Sequence, residues 1–322
     1  MTLGRGFRIF ETMKLAPIVD EVVASHLDTI AADGMDIFLV SDSNYRGAVI
    51  NATRLVNQIR VNHELGILET LLLGHSYIAA GLLTSLVKGN DRIVMTMECD
   101  GPARGVAVES NARGEIRGYL RANPIPIEGP VESFDLAPYI QGGTLSITRH
   151  LEMARTPFVG HVTIEYGNLA KDLANYFVVS EQLPTAVSLS IQFDREGRVS
   201  GAGGLFLQSM PGADRSAGGP LEDRVRELPS LGSLFANGDT PANVINTHLY
   251  DFGPEIIGTR SIEFSCHCNK EIYRDYIASL PEEELADIRE NGPFPLKVTC
   301  HNCNTTYTYE KDEIEAIVSE RP

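Results

Sequence analysis

Basic residues are scarce in this chain. Only 27 Lys and Arg stand against 43 Asp and Glu, giving a net charge of −16 and a pI near 4.9. That deficit argues against a general nucleic-acid binder, which needs a basic face to displace counterions. It favours solubility and permits transient handling of basic or unfolding chains. Long hydrophobic runs are missing as well. The most apolar stretch, Leu71 to Val87, is interrupted by Gly74, His75, Ser76, Gly81, Thr84 and Ser85. It is too short and too polar for a membrane span and reads as a buried helix. Between Met1 and Asp20 no sustained apolar core follows Arg5 and Arg8, so no secretory signal is expected. Trp is absent, which excludes nothing. Cysteine is sparse, with five in 322 residues. The expected location is the cytoplasm, where thiols stay reduced, so these cysteines read as metal-binding or redox-sensing groups and not as a disulfide framework.

What is present is concentrated near the C-terminus. Four of the five cysteines form Cys266-His-Cys268 and, after 31 intervening residues, Cys300-His-Asn-Cys303. Two close thiol pairs at this separation can close a tetrahedral four-thiolate zinc site. His267 and His301 could substitute as ligands, but four thiols make second-shell or solvent-facing roles the better reading. Four cysteine ligands leave no open position for catalysis. The same sulfurs are candidate redox sensors. Four cysteines allow three disulfide connectivities, and sequence proximity favours Cys266–Cys268 with Cys300–Cys303. A loop of three or four residues stabilises by at most about 2 kcal/mol. Zinc contributes roughly 10–16 kcal/mol. Two local disulfides therefore cannot replace a metal that ties the pairs together, and oxidation should eject zinc and loosen the fold. The residues also permit a permanently loaded zinc ribbon, although residues 264–322 carry 12 Asp/Glu against 6 Lys/Arg, which disfavours nucleic acid as its target.

The rest of the chain reads as α+β. Residues 1–34 look like an N-terminal extension, with Ile18, Val19, Val22, Val23, Leu27 and Ile30 at helical spacing and Gly34 as C-cap. A core domain over 35–210 shows short strands at Arg92–Glu98, Ala107–Glu109, Ile116–Leu120, Gly143–Thr148, His161–Ile164 and Ala186–Phe193. It also shows helices over Ile67–Val87 and from Asn168 to about Ser180. Strands clustered apart from helices suggest α+β and not a wound parallel sheet. A Gly/Pro-rich break at Pro211–Pro220 opens a linker over 211–262, where short helical pieces at Leu221–Leu228, Leu231–Phe235 and Ala242–Thr247 imply a helical, metastable segment. The four-cysteine domain, 263–322, has helices at Glu271–Leu280 and Glu282–Asn291, a hairpin of Leu296–Thr299 and Thr305–Tyr309, and a last helix that Asp312 could cap.

Other constellations are weaker. Gly201-Ala-Gly203-Gly204 precedes strand-like Leu205–Gln208, so the strand–loop–helix context of a nucleotide loop is missing and strand bends explain the glycines better. Asp172 and Glu181 could be imagined as an acid–base pair, but no nucleophile accompanies them. Cys99 reads as a buried core thiol. No catalytic residue is assigned and an enzyme is not expected.

Several stretches together resemble the heat shock protein 33 family, the 33 kDa chaperonins. They are Gly114–Tyr119, Gly142–Leu145, Phe158–Gly160 through Asp172–Gln182, Gly203–Gln208 to Gly212, Phe264–Cys268 and Glu283–Leu285, in order along roughly residues 36–320. The resemblance implies an ATP-independent, redox-regulated holdase. Its reduced form carries one zinc per chain and is inactive. Oxidation makes two disulfides, releases zinc and loosens the linker and zinc domain, exposing surface that binds unfolding client proteins. The active form is typically a homodimer. By position, Cys266, Cys268, Cys300 and Cys303 are both the zinc ligands and the disulfide cysteines. Neither nucleic acid nor membrane is an implied partner. Three departures stand out: the N-terminal extension, Asn269 where a small hydroxyl residue is common, and the Gly/Pro-rich start of the linker. The alternative is a constitutive zinc-binding adaptor with no redox switch.

Overall fold

The computed structural model describes residues 15–320 apart from 43, 128, 132 and 214–217. Its described residues divide into two compact units, 17–265 and 266–320. The expectations about residues 1–14 and the middle of the Gly/Pro-rich break lie outside the described residues.

The larger unit is built on two sheets. Helix α1 (Glu21–Thr29) leads into β1 (Gly34–Val40), β2 (Tyr45–Asn51), α2 (Thr53–Asn62) and α3 (Ile67–Leu83). Strands β3 (Arg92–Cys99), β4 (Gly105–Asn111) and β5 (Glu115–Leu120) precede the short α4 (Ala137–Ile140), then β6 (Gly143–His150) and β7 (Phe158–Thr163). Helix α5 (Leu169–Ser180), β8 (Thr185–Phe193) and β9 (Val199–Ser209) follow. The unit ends with α6 (Gly218–Arg226), α7 (Leu231–Ala236), α8 (Pro241–His248), β10 (Glu255–Ser261) and β11 (Glu263–Phe264). One sheet has the order β10-β1-β2-β9-β8, the other β11-β5-β4-β3-β6-β7. Pairing is antiparallel except for β11 on β5.

Helix α3 lies between the sheets. From Leu68 to Leu83 every residue but His75 is buried, as a helix apolar on all sides requires. Gly81 faces Ile50 of one sheet and Ile116 of the other, so a larger residue there would be squeezed from both sides. Tyr77 Oη donates to Gly118 O at 3.0 Å and Ser110 Oγ to Ala80 O at 2.9 Å, pinning the helix to the second sheet. The stretch Ile67–Leu86 is long and apolar enough to cross a membrane by length and composition, yet 89% of its most apolar part is buried in the fold. The buried-helix expectation holds.

The first sheet is covered on both faces. Ile50 and Phe206 face the α3 core, whereas Phe38, Val40, Val49, Leu205 and Leu207 face a second core with Leu221, Leu231, Phe235, Val244, Ile245 and Leu249. The segment expected as a linker thus supplies α6, α7 and α8, which bury apolar side chains on the outer face. One amendment is needed: Glu255–Ser261 is strand, not helix, and pairs with β1. Ile256 and Ile257 give it β-branched character.

Three smaller corrections follow. Gly34 does not cap the first helix. Ile30 does, and Gly34 begins β1. The glycines at 201, 203 and 204 lie inside β9 and not at bends. A Cβ on Gly203 would sit 2.2 Å from the Phe235 ring, and one on Gly201 1.9 Å from Gly232 O, so α7 approaches too closely for any side chain. Cys99 is half-buried at the core edge, not enclosed.

The smaller unit contains α9 (Lys270–Ala278), α10 (Glu282–Asn291), the β12 (Leu296–Thr299) and β13 (Thr306–Tyr309) hairpin, and α11 (Lys311–Ser319). Glu310, not Asp312, caps α11, in a reciprocal capping box with Glu313. Among the described residues its buried apolar and aromatic side chains are Ile277, Leu285, Tyr307, Tyr309, Ile314 and Ile317, alongside four cysteines.

Candidate metal centre

Two short backbone devices carry the sulfurs. Cys266 and Cys268 sit in the extended stretch before α9, whose N-cap is Asn269, with Oδ1 accepting from Ile272 N at 2.8 Å. The residue that departs from the family pattern therefore starts the helix next to the thiols. Cys300 and Cys303 sit in the β12–β13 connection. Cys300 N donates to Thr305 O at 2.9 Å, and Asn304 N to Cys300 O at 2.8 Å, with Asn304 left-handed at φ 58°. Asn tolerates that conformation better than most residues.

These devices bring all four sulfurs together. Every pair of Sγ atoms lies within 4.8 Å, and all four residues are buried. Cys268 and Cys303 sulfurs are 3.3 Å apart, Cys266 and Cys300 sulfurs 3.8 Å. Zinc–sulfur bonds of about 2.3 Å in a tetrahedron separate sulfurs by about 3.8 Å, so the set fits a four-coordinate ion with little movement. It is the only such cluster of metal-ligating groups among the described residues. His267 and His301 are exposed and outside it.

Without a cation the sulfurs cannot all ionise. Hydrogen bonds from Cys266 and then Cys303 hold the Cys300 thiol well below its usual range. The Cys266 thiol is pushed far up by its hydrogen bonds to Cys300 and Cys303 and by burial. Burial pushes Cys268 up to about 12. Cys303, although a bond with Cys266 lowers it, is driven to about 12 by Cys300 and burial. One negative charge is tolerated and further ones are opposed, so four thiolates require a compensating cation.

Hydroxyl groups surround the sulfurs, and these the sequence reading missed. Tyr307 Oη is 3.3 Å from Cys268 Sγ, Thr305 Oγ1 3.3 Å from Cys303 Sγ, and Tyr273 hydrogen-bonds Cys300. The available signal was Tyr307 alternating with Tyr309 on a strand just after the CxxC, since a buried tyrosine needs a partner for its hydroxyl.

The other candidates carry structure, not chemistry. Asp172 is fully buried and accepts from the backbone amides of Glu165, Tyr166 and Asn168 at 2.9–3.0 Å, which fixes the turn into α5. Glu181 is paired with Arg149. Burial raises the Cys99 thiol to about 11, so it stays protonated near neutrality. Cys300 and Cys303 are each only 3% exposed.

His75 has a testable consequence. The side chain keeps some contact with solvent, but desolvation of its ring still lowers its pKa to about 4 from 6.5. The fold favours neutral imidazole, so its contribution is complete above pH 6.5 and is lost as pH falls toward 4. Acidification from pH 7 to 4.5 should therefore destabilise the larger unit through this group, by at most about 2 kcal/mol because the ring is partly solvated. His75→Gln should remove that portion of the slope in denaturant melts of the two proteins at both pH values. An unchanged slope would contradict the assignment.

Comparison with known proteins gives a consistent result. The family model for Hsp33 protein matches residues 33–310. The 33 kDa chaperonin of Desulforamulus reducens is 32% identical over 282 residues, 87% of this chain and 95% of that protein. That of Ruminiclostridium cellulolyticum is 33% identical over 272 residues, 83% and 91% respectively. The crystal structure of the 33 kDa chaperonin from Thermotoga maritima matches with a TM-score of 0.79 and 31% identity, covering 90% of this chain and 98% of that one.

Proposed function

Because the chain belongs to the Hsp33 family of chaperones, we propose that it binds unfolding proteins without ATP and that its four cysteines are the redox latch controlling this activity. One observation carries the reading: four buried sulfurs lie within 4.8 Å of one another in a unit that has few other buried side chains among the described residues.

Cys266, Cys268, Cys300 and Cys303 would hold one Zn²⁺. The ion supplies a structural cross-link between two thiol pairs 31 residues apart and no open coordination position. The thiolates are the oxidisable groups. Two thiolates and one peroxide give one disulfide and two hydroxide ions. The two sulfurs lose two electrons, and the O–O bond takes them as it breaks. Two peroxides convert all four thiolates and leave no ligand for the cation. Because all the sulfurs lie within 4.8 Å, each connectivity is within reach. Pairing within Cys266–Cys268 and within Cys300–Cys303 remains the proposal, because it can be completed while the two pairs move apart. The released C-terminal unit and the 211–262 segment then expose apolar surface to clients, and the oxidised form is a homodimer. A reducing compartment such as the cytoplasm would keep the latch closed at rest.

The test uses purified, reduced, zinc-loaded chain. Peroxide at elevated temperature should release about one zinc per chain, consume four thiols, and create suppression of light scattering by an unfolding client. Retained zinc without suppression would overturn the proposal. Suppression by the reduced protein, destroyed by oxidant, would instead indicate an adaptor without a switch.

A further inference from the structure

The sulfurs have different hydroxyl neighbours, and one of these, Tyr307, reaches both the carbonyl and the sulfur of the same cysteine. Tyr307 lies on β13, 2% exposed. Its hydroxyl oxygen is 3.1 Å from Cys268 O and 3.3 Å from Cys268 Sγ. It is held there by Tyr273, whose ring packs against it with centroids 5.4 Å apart.

A phenol has one proton to give. While Cys268 is a thiol, the Tyr307 O–H donates to the Cys268 carbonyl, and the S–H can turn to the Tyr307 oxygen or to Cys303 Sγ, each 3.3 Å away. When all four sulfurs are thiolates, no S–H remains and the phenol proton is the donor shared by the Cys268 carbonyl and sulfur. It is then shared between the carbonyl and a charged acceptor, and bonds to charged acceptors are the stronger kind.

We infer that Tyr307 is a positioning residue of the latch, whose hydroxyl donates to the Cys268 thiolate and slows its reaction with oxidant. This rests on the redox-switch reading above. In the reacting step the sulfur lone pair attacks one peroxide oxygen, the S–O bond forms as the O–O bond breaks, and hydroxide leaves. A second thiolate then displaces hydroxide from that sulfenic acid to form the disulfide. The attacking sulfur loses its negative charge during the first step. A hydrogen bond to that charge stabilises the starting thiolate more than the transition state, and so raises the barrier. Withdrawing electron density from the lone pair acts in the same direction.

Tyr309 provides the control. It lies two residues on, on the same face of β13, 1% exposed, and its hydroxyl donates to Lys270 O at 2.5 Å. That is the same kind of tie to the start of α9, made to a lysine carbonyl instead of a cysteine. Tyr307→Phe and Tyr309→Phe each delete one hydroxyl and keep the ring.

The experiment compares the full chain, wild type and both variants, loaded with zinc and exposed to hydrogen peroxide, with released zinc followed by a colorimetric indicator. Cobalt-loaded samples report the sulfur-to-metal charge-transfer band. Tyr307→Phe should release zinc about tenfold faster, the scale of outer-shell effects on metal sites, and should shift the band. Tyr309→Phe should stay within about twofold of wild type, because its hydroxyl serves a lysine carbonyl and is not an outer-shell partner of a sulfur. Wild-type kinetics in Tyr307→Phe, or equal acceleration in both variants, would overturn the inference. A wild-type protein that keeps its zinc in peroxide would overturn the redox reading instead.

Discussion

Cys300→Ser is expected to unfold residues 270–320 while leaving the larger unit intact. Structural zinc contributes roughly 10–16 kcal/mol, and a whole domain is typically stable by only ~5–15 kcal/mol. In the smaller unit the described buried side chains other than cysteine are Ile277, Leu285, Tyr307, Tyr309, Ile314 and Ile317. That is a thin core for about sixty residues, near the size at which metals or disulfides become necessary. Serine cannot replace a thiolate, and the three remaining sulfurs cannot close the shell. Amide exchange measured on the full chain should show protection of 270–320 falling by at least about a thousandfold, equivalent to ~4 kcal/mol. Protection of α3 and of β2 to β9 should be unchanged, because their cores are built without the cysteine centre. Cys99→Ser is the control, with an effect within about 1 kcal/mol, since Cys99 is half-buried and outside the cluster. A Cys300→Ser protein that remains protected over 270–320 would mean that the metal is not what holds this unit together.

How much of this was legible in the sequence depended on what each element packs against. Strands β3 to β7 were readable because the second sheet has one polar face. Arg92, Glu109 and Arg117 pair across it, and Glu98 pairs with Arg121, while Ile93, Met95, Val106 and Ile116 point inward. That produces the period of two that marks a strand. Strands β1 and β2 were not picked out. Phe38 and Val49 serve one core while Met35 and Ile50 serve the other, so apolar residues run on without alternation. Helix α2 was missed for a related reason. Its N-cap is Ala52, which offers no side chain to the helix, and the cap comes from Asp33, which accepts from Arg54 N and Leu55 N at 3.0 and 2.7 Å. A cap from 20 residues upstream leaves no local signature. The four sulfurs were legible because metal ligation needs one residue type at short spacing. Tyr307, Tyr273 and Thr305 were not, because their hydroxyls matter only once the chain has folded around the sulfurs.

Phe235→Ala should open residues 218–252 without removing the metal. Helix α7 has six residues, too few to persist without tertiary contacts. Its attachments are specific: Phe235, fully buried, lies over Gly203, Gly232 N donates to Ser190 Oγ at 3.1 Å, and Ser233 Oγ to Gln192 Oε1 at 3.0 Å. Removing the ring costs about 3–5 kcal/mol, as for other buried phenylalanines. Gly203 beneath it cannot fill the gap. The loss falls on a face whose other anchors, Leu221, Leu231, Val244, Ile245 and Leu249, come from the same segment, so they should loosen together. The α3 core on the opposite face should remain. Exchange over 218–252 should rise steeply and an apolar dye should bind, with zinc still at about one per chain. If the outer face of the first sheet is the surface that clients meet, the reduced variant should suppress client aggregation without oxidant. Leu72→Ala, in the α3 core, should destabilise the whole larger unit and give no such activity in the folded population. An opened Phe235→Ala protein that binds dye but no client would place the client surface elsewhere, and would limit the role of zinc release to the C-terminal unit alone.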